Sequence, residues 1–174
     1  MTSLPADRPL RVLFVCTGNS ARSQMGQTIL NSKGRGRFIA ESAGSDPAAR
    51  VHPLAIEALK RHGYFWTGHE PQGIDAVIGQ PWDFVITVCD RARESCPLFP
   101  GQPVTAHWGM PDPAEAIGTD RERQRAFDDA LLLMQRRLDL FLALPMDKLE
   151  RLAVQTSMRD IGGAGLTPLQ LSRA

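Results

Sequence analysis

The strongest constraint in this chain is a junction near its start. A short apolar run, Arg11–Val15 (RVLFV), passes directly into Cys16–Ser23 (CTGNSARS) and then into a helical pattern. The run has β-branched residues and no polar alternation, which predicts a fully buried strand. The residues between Cys16 and Arg22 are Thr17, Gly18, Asn19, Ser20 and Ala21, all small. A loop of small residues between a buried strand and a helix start lets successive backbone N–H groups converge on one anion.

The pattern of elements places that junction in a fold. Met25, Ile29 and Leu30 lie on one face of a helix over about 23–30, broken by the glycines of 33–36. Phe38–Ala43 reads as a second strand, closed by Gly44 and the Asp46–Pro47 turn, to which no function is given. A helix opens at His52–Pro53, runs to His62 and stops at Gly63, with proline and glycine at their favoured ends. Asp83–Val88 is a third strand and Val104–His107 a fourth. Phe127, Leu131, Met134, Leu138, Phe141 and Leu142 recur at helical spacing, predicting a helix over 120–144 that Pro145 ends. Strands alternating with helices argue for an α/β fold, with a parallel sheet of four strands covered on both faces. Ligands in such folds bind beyond the carboxyl ends of the strands. Cys16 follows the first strand and Cys89 ends the third, so both belong to that rim although 73 positions separate them.

The organisation expected is a flexible start over 1–9, one domain over 10–144 and a tail over 145–174. In the tail Met146, Leu149, Leu152 and Ala153 suit a short amphipathic helix, and the glycines of 162–165 weaken regular structure beyond it. A length of 174 residues with 43% hydrophobic and 22% charged residues suits one globular domain. The net charge of +1 gives no basic excess for nucleic acid. The segment Asp120–Arg125 (DRERQR) interleaves both signs and reads as a solvated helix start. No apolar run reaches the length of a membrane span, and MTSLPADRPL lacks the apolar core of a secretory signal. Three cysteines are too few for a disulfide framework and fit a reducing cytoplasm.

Three groups carry chemistry. Cys16 and Arg22 stand in a C-x5-R spacing, weak alone and much stronger in this loop. A helix N-terminus and a guanidinium lower a thiol pKa from about 8.5 into the range of about 3.5–7.5, so Cys16 is expected to be a thiolate at neutral pH. Arg22 offers a planar fork to two oxygens of a tetrahedral anion. Ser23 can donate to the sulfur, and Asn19 can tie the loop through its side chain. Asp112 precedes Pro113 in His107–Pro113 (HWGMPDP), where proline restricts the residue before it. Cys89 and Cys96 stand seven apart, without the second pair a structural zinc site needs. On the residues alone they are either two structural thiols or a redox pair, and the polar, arginine-containing segment favours thiolate. His52 and His62 read as helix-end residues, and His107 as a residue shaping the Asp112 loop.

The stretch VLFVCTGNSARSQM, residues 12–25, resembles the signature of the low-molecular-weight tyrosine phosphatase superfamily, and most closely its arsenate reductase branch. The resemblance covers about residues 10 to 144. It implies a single three-layer domain, with Cys16 as nucleophile, Thr17–Arg22 as the oxyanion cradle and Asp112 as general acid. The pair at Cys89 and Cys96, followed by Pro97, resembles the redox cysteines of the thioredoxin-coupled arsenate reductases. Phosphatases of the superfamily carry tyrosines after the Asp-Pro; here Ala114 and Glu115 follow, and the only tyrosine is Tyr64. Ala21 stands where many relatives have a second loop cysteine, which makes Cys89 more necessary. Gln27 stands where potassium-binding relatives have Glu. No cofactor and no metal are expected, and residues 89–96 are expected to be mobile so that their thiols can meet. The expected partners are arsenate and thioredoxin or a similar thiol reductant. A phosphomonoesterase using Cys16, Arg22 and Asp112 is the alternative, and a non-enzymatic oxyanion or arsenical sensor a third.

Overall fold

A computed structural model describes residues 3–148 and 151–163. Its sheet is built from β1 (Leu10–Cys16), β2 (Phe38–Gly44), β3 (Phe84–Thr87) and β4 (Val104–His107), all parallel, in the order β2-β1-β3-β4. β1 is central, and Val12–Val15 are fully buried, as the unalternated run predicts. Cys16 pairs in register with Gly44, and Thr87 with His107, so the candidate residues gather at one carboxyl rim.

The helices are α1 (Arg22–Lys33), α2 (Pro53–Arg61), α3 (Asp90–Ser95), α4 (Asp120–Leu142) and α5 (Arg151–Gly163). α1 runs a turn further than its apolar face suggests, ending at Gly34. It lies close on β1: a Cβ on Gly26 would meet the Phe14 ring at 2.9 Å. α2 is capped by the His52 ring, which accepts from the Leu54 N–H at 3.2 Å, and ends at His62 with Gly63 at φ 85°. Both histidines are thus helix-end residues. α4 begins with a reciprocal cap between Thr119 and Glu122 and stops two residues short of the predicted end. The sequence gives no sign of α3, which is too short and polar to show a periodicity.

α4 holds the core together. Phe141 sits 4.9 Å from Phe38, 5.3 Å from Phe84 and 6.1 Å from Trp108, ring centre to ring centre. The segment leading into β1 is held at two points: Leu4 is buried, and Arg8 forms an ion pair with Asp83 at 2.8 Å. α5 packs on β4 and α4. It begins at Arg151, so Met146 of the expected tail helix lies before it, and it reaches Gly162 and Gly163; Leu149, Ala164 and Gly165 lie outside the described residues. The Gln155 amide donates to the Thr105 carbonyl and accepts from the Thr105 N–H, so α5 covers an otherwise open sheet edge.

Phe141→Ala is expected to lower unfolding stability by about 3–5 kcal/mol, the range for removing a buried aromatic. Urea denaturation checks this, and an unchanged midpoint would show that the aromatic cluster does not hold the sheet to α4.

Candidate active site

The loop after β1 is shaped from outside. The carbonyls of Cys16, Thr17, Gly18 and Ser20 accept from the N–H groups of Ser45, Asp46, Ala48 and His52 at 2.9–3.1 Å. A peptide unit is planar and trans, so each carbonyl turned outward turns the next N–H inward. The Asn19 N–H, opposite the Gly18 carbonyl, donates to Cys16 Sγ at 3.0 Å. The segment around Asp46–Pro47, read from sequence as a plain turn, is therefore the outer brace of the loop. Gly44 lets the loop sit close: a Cβ there would drive into the Thr17 carbonyl oxygen and lie 2.9 Å from the Asn19 nitrogen.

Asn19 ties the loop, as its side chain suggests. It is fully buried and adopts φ 49°, a left-handed conformation that asparagine tolerates better than most residues. Its Nδ2 donates to Ser23 Oγ at 2.9 Å and to Ser42 Oγ at 2.8 Å. Because Ser23 Oγ already accepts there, its own proton is free to point at Cys16 Sγ, 2.8 Å away. The Ser42 hydroxyl donates in turn to Gln27 Oε1 at 2.6 Å. Asn19 Oδ1 accepts from the Gln72 N–H at 3.0 Å, and Gln24 Nε2 donates to the Asn19 carbonyl at 3.2 Å. Nothing in the sequence links Gln24, Ser42 or Gln72 to Cys16; the fold brings them to the loop.

The thiol itself departs from expectation. Burial pushes the Cys16 pKa above its ordinary value, outweighing the Ser23 hydrogen bond, the Arg22 charge and the Asn19 N–H, which all pull it down. The stabilising neighbours are local in sequence, whereas the desolvation of a sulfur only 3% exposed arises from the packed fold. Burial likewise raises Cys96.

Arg22 joins the loop to the acid segment. Its Nη2 lies 3.0 Å from Asp112 Oδ2, and its Nη1 donates to the Met110 carbonyl at 3.1 Å. Asp112 Oδ1 accepts from the Ala114 N–H at 3.0 Å, capping a 3-10 turn over Pro113–Glu115. Proline on both sides fixes the approach of this carboxylate.

Cys89 is brought to the loop. Its sulfur lies 3.3 Å from Thr17 Oγ1 and accepts from the Ala92 N–H at 3.4 Å, so it caps the start of α3. Cys96 ends that helix, half-buried, and all three cysteines are free thiols. The His107 ring ties β4 to α3, with Nδ1 2.8 Å from Thr87 Oγ1 and Nε2 2.9 Å from Asp90 Oδ1, and it also lies against Gly109 of the Asp112 loop, where a Cβ would come 2.7 Å from its Nε2. Tyr64 donates to Gln135 on α4 at 3.1 Å, away from the loop. Among the described residues no cluster of three or more His, Cys, Asp or Glu side chains is placed to hold a metal, and no helix is long and apolar enough to cross a membrane.

In a Cys89→Ser/Cys96→Ser variant, the ultraviolet absorbance of the remaining thiolate should rise with a midpoint above that of a free thiol such as glutathione titrated alongside; a midpoint below that of the free thiol would mean the loop outweighs burial. Gly44→Ala should weaken binding of inorganic phosphate by about tenfold or more, because sub-ångström misplacements are costly in such sites. Calorimetry checks this, and unchanged affinity would show that the loop tolerates a shift.

Comparison with known proteins gives a consistent answer. The family model for low molecular weight phosphotyrosine protein phosphatase matches residues 11–151. The arsenate reductase of Halalkalibacterium halodurans is 37% identical over 116 residues, covering 67% of this chain and 83% of that protein. An arsenate reductase solved in a phosphate-binding state is 26% identical, with a TM-score of 0.62, covering 77% of this chain and 97% of that one. The thioredoxin-dependent arsenate reductase of Corynebacterium glutamicum is 29% identical, with a TM-score of 0.55, covering 78% of this chain and 65% of that one. The chain belongs to the low molecular weight phosphotyrosine protein phosphatase family.

Proposed function

We infer that this protein is an arsenate reductase that works through a relay of three cysteines. The observation that carries the reading is the position of Cys89, a second thiol 3.3 Å from Thr17 at the edge of the anion loop. A phosphomonoesterase needs Cys16, Arg22 and Asp112 but has no use for a thiol there. The Asp-Pro is followed by Ala114 and Glu115, which offer no aromatic wall to an aryl ester.

The inward N–H groups of the Thr17–Arg22 loop and the Arg22 guanidinium bind arsenate. A neutral thiol beside a dianion has the same total charge as a thiolate beside a monoanion. The Cys16 proton can therefore pass to a substrate oxygen inside the site, and Ser23 stabilises the sulfur left behind. Cys16 Sγ attacks arsenic, and Asp112, having taken a proton from solvent as arsenate replaces it on Arg22, gives that proton to the departing hydroxyl, which leaves as water. Cys89 then attacks Cys16 Sγ. The arsenic–sulfur pair stays on arsenic, reducing As(V) to As(III); arsenite leaves, and a Cys16–Cys89 disulfide remains. Cys96 attacks Cys89 Sγ, forming Cys89–Cys96 and freeing Cys16.

That last step requires α3 to open. A helix separates residues seven apart by about 10 Å at its rise of 1.5 Å per residue, whereas disulfide-bridged α-carbons lie about 4.4–6.8 Å apart. A six-residue helix is a weak one to lose. Cys96 lines a cavity of about 970 Å³ bounded by the 97–103 loop and by Gln155 and Arg159 of α5, which leaves it reachable by an external thiol. Thioredoxin or a similar dithiol protein is the reductant proposed to reset the pair. Three free thiols suit a cytoplasmic setting.

Arsenate-dependent NADPH oxidation, coupled through thioredoxin and its reductase, tests the relay. Turnover is expected in the wild type and should be abolished in Cys89→Ser and in Cys96→Ser. Aryl-phosphate hydrolysis that survives both changes, with no arsenate turnover, would make the protein a phosphatase.

A further inference from the structure

The loop that carries Asp112 is held from behind by a residue that is not part of the anion site. Arg137, on α4, is 1% exposed. Its Nη1 donates to the Trp108 carbonyl at 2.8 Å and to the Gly109 carbonyl at 3.1 Å, and its Nη2 to the Gly162 carbonyl of α5 at 2.9 Å. Burial lowers its pKa to about 10, so it remains a cation at neutral pH. A buried guanidinium is expensive unless its donors are met, and here backbone carbonyls of two segments meet them.

α5 closes the arrangement from the other side. The Trp108 indole N–H donates to the Met158 carbonyl at 3.0 Å, and Trp108 is fully buried. Gly162 touches the junction of β4 and the acid loop: a Cβ on it would lie 2.6 Å from the His107 carbonyl oxygen and 3.3 Å from the Trp108 ring. Three successive carbonyls of the loop are therefore taken by guanidinium groups, those of Trp108 and Gly109 by Arg137 and that of Met110 by Arg22. Pro111 and Pro113 fix the two remaining links to Asp112. α5 begins where the family match ends, so half of this brace is built from residues outside the shared core.

We propose that Arg137, braced by α5, is a positioning residue for Asp112, and that this C-terminal helix completes the acid side of the active site. The proposal rests on the reading of Asp112 as general acid. Arg137 touches neither substrate nor the reacting atoms; it sets where the loop carries the carboxylate.

A double-mutant cycle on the full chain tests it, read as the single-turnover rate of arsenite formation at saturating arsenate. Asp112→Asn alone should lower the rate by about 10²–10⁴-fold, the usual worth of a general acid. Arg137→Lys and, separately, Gly162→Val should each lower it by about 10- to 100-fold in the wild-type background, as expected for a misplaced catalytic group. Neither should lower it further in the Asp112→Asn background, because a positioning residue loses its effect once the group it positions is gone. The use of two variants guards against one that fails to fold. The same loss in both backgrounds would overturn the proposal by showing a general packing effect. Full activity of Arg137→Lys and Gly162→Val in the wild-type background would overturn it while leaving Asp112 as the acid. Full activity of Asp112→Asn would overturn the reading of Asp112 itself, and the proposal with it.

Discussion

The active site depends on where four carbonyl groups point. Those of Cys16, Thr17, Gly18 and Ser20 are drawn outward by the N–H groups of 45–52, and the peptide plane then turns the following amides inward, that of Asn19 onto the sulfur. An anion site made of backbone donors has no side chain to give it shape, so the shape must come from the opposite ends of the same peptides. The parallel pairing of β1 with β2 delivers the brace, because Cys16 and Gly44 end their strands in register. Asn19 then locks the loop from within, linking Ser23, Ser42 and Gln72 through one buried amide.

The same burial that organises the loop acts against its nucleophile. Removing a sulfur from water disfavours the thiolate, and neighbours that stabilise the charge offset this only in part. The relay also draws on opposing demands. Cys89 sits against Thr17 at the start of α3, while Cys96 must travel to it. Placing the two thiols at opposite ends of a single short helix keeps them apart until that helix opens. His107 and Asp90 close it on one side through a largely exposed contact, of the kind that contributes little and is readily broken.

Much of this was legible in the residues. β1 and its loop announce themselves through an unalternated apolar run followed by small residues, and α2 and α4 through their caps and their spacing. The contact of Ser23 with Cys16 and the tie by Asn19 were also readable, because both lie within the loop. What escaped the sequence depends on distance or on desolvation. Gln72 reaches Asn19 across 53 positions. α3 lacks the length for a periodic signal, and its cap is a cysteine. The raised Cys16 pKa follows from burial that no local motif reports. Arg137 was findable in principle: it lies three residues after Met134 and four before Phe141, on the buried stripe of α4, where a charged residue is out of place. It was hidden among the 17 arginines of the chain.

The central claim is that electrons pass from Cys16 to arsenic and are replaced, in order, by Cys89 and Cys96. The most direct test omits any external reductant. Fully reduced protein is mixed with arsenate, arsenite is quantified, and the cysteine pairing is read by mass spectrometry of peptides after alkylation. The account predicts one arsenite per chain, a Cys89–Cys96 disulfide and an alkylated Cys16. Three alkylated cysteines with no arsenite formed would contradict it.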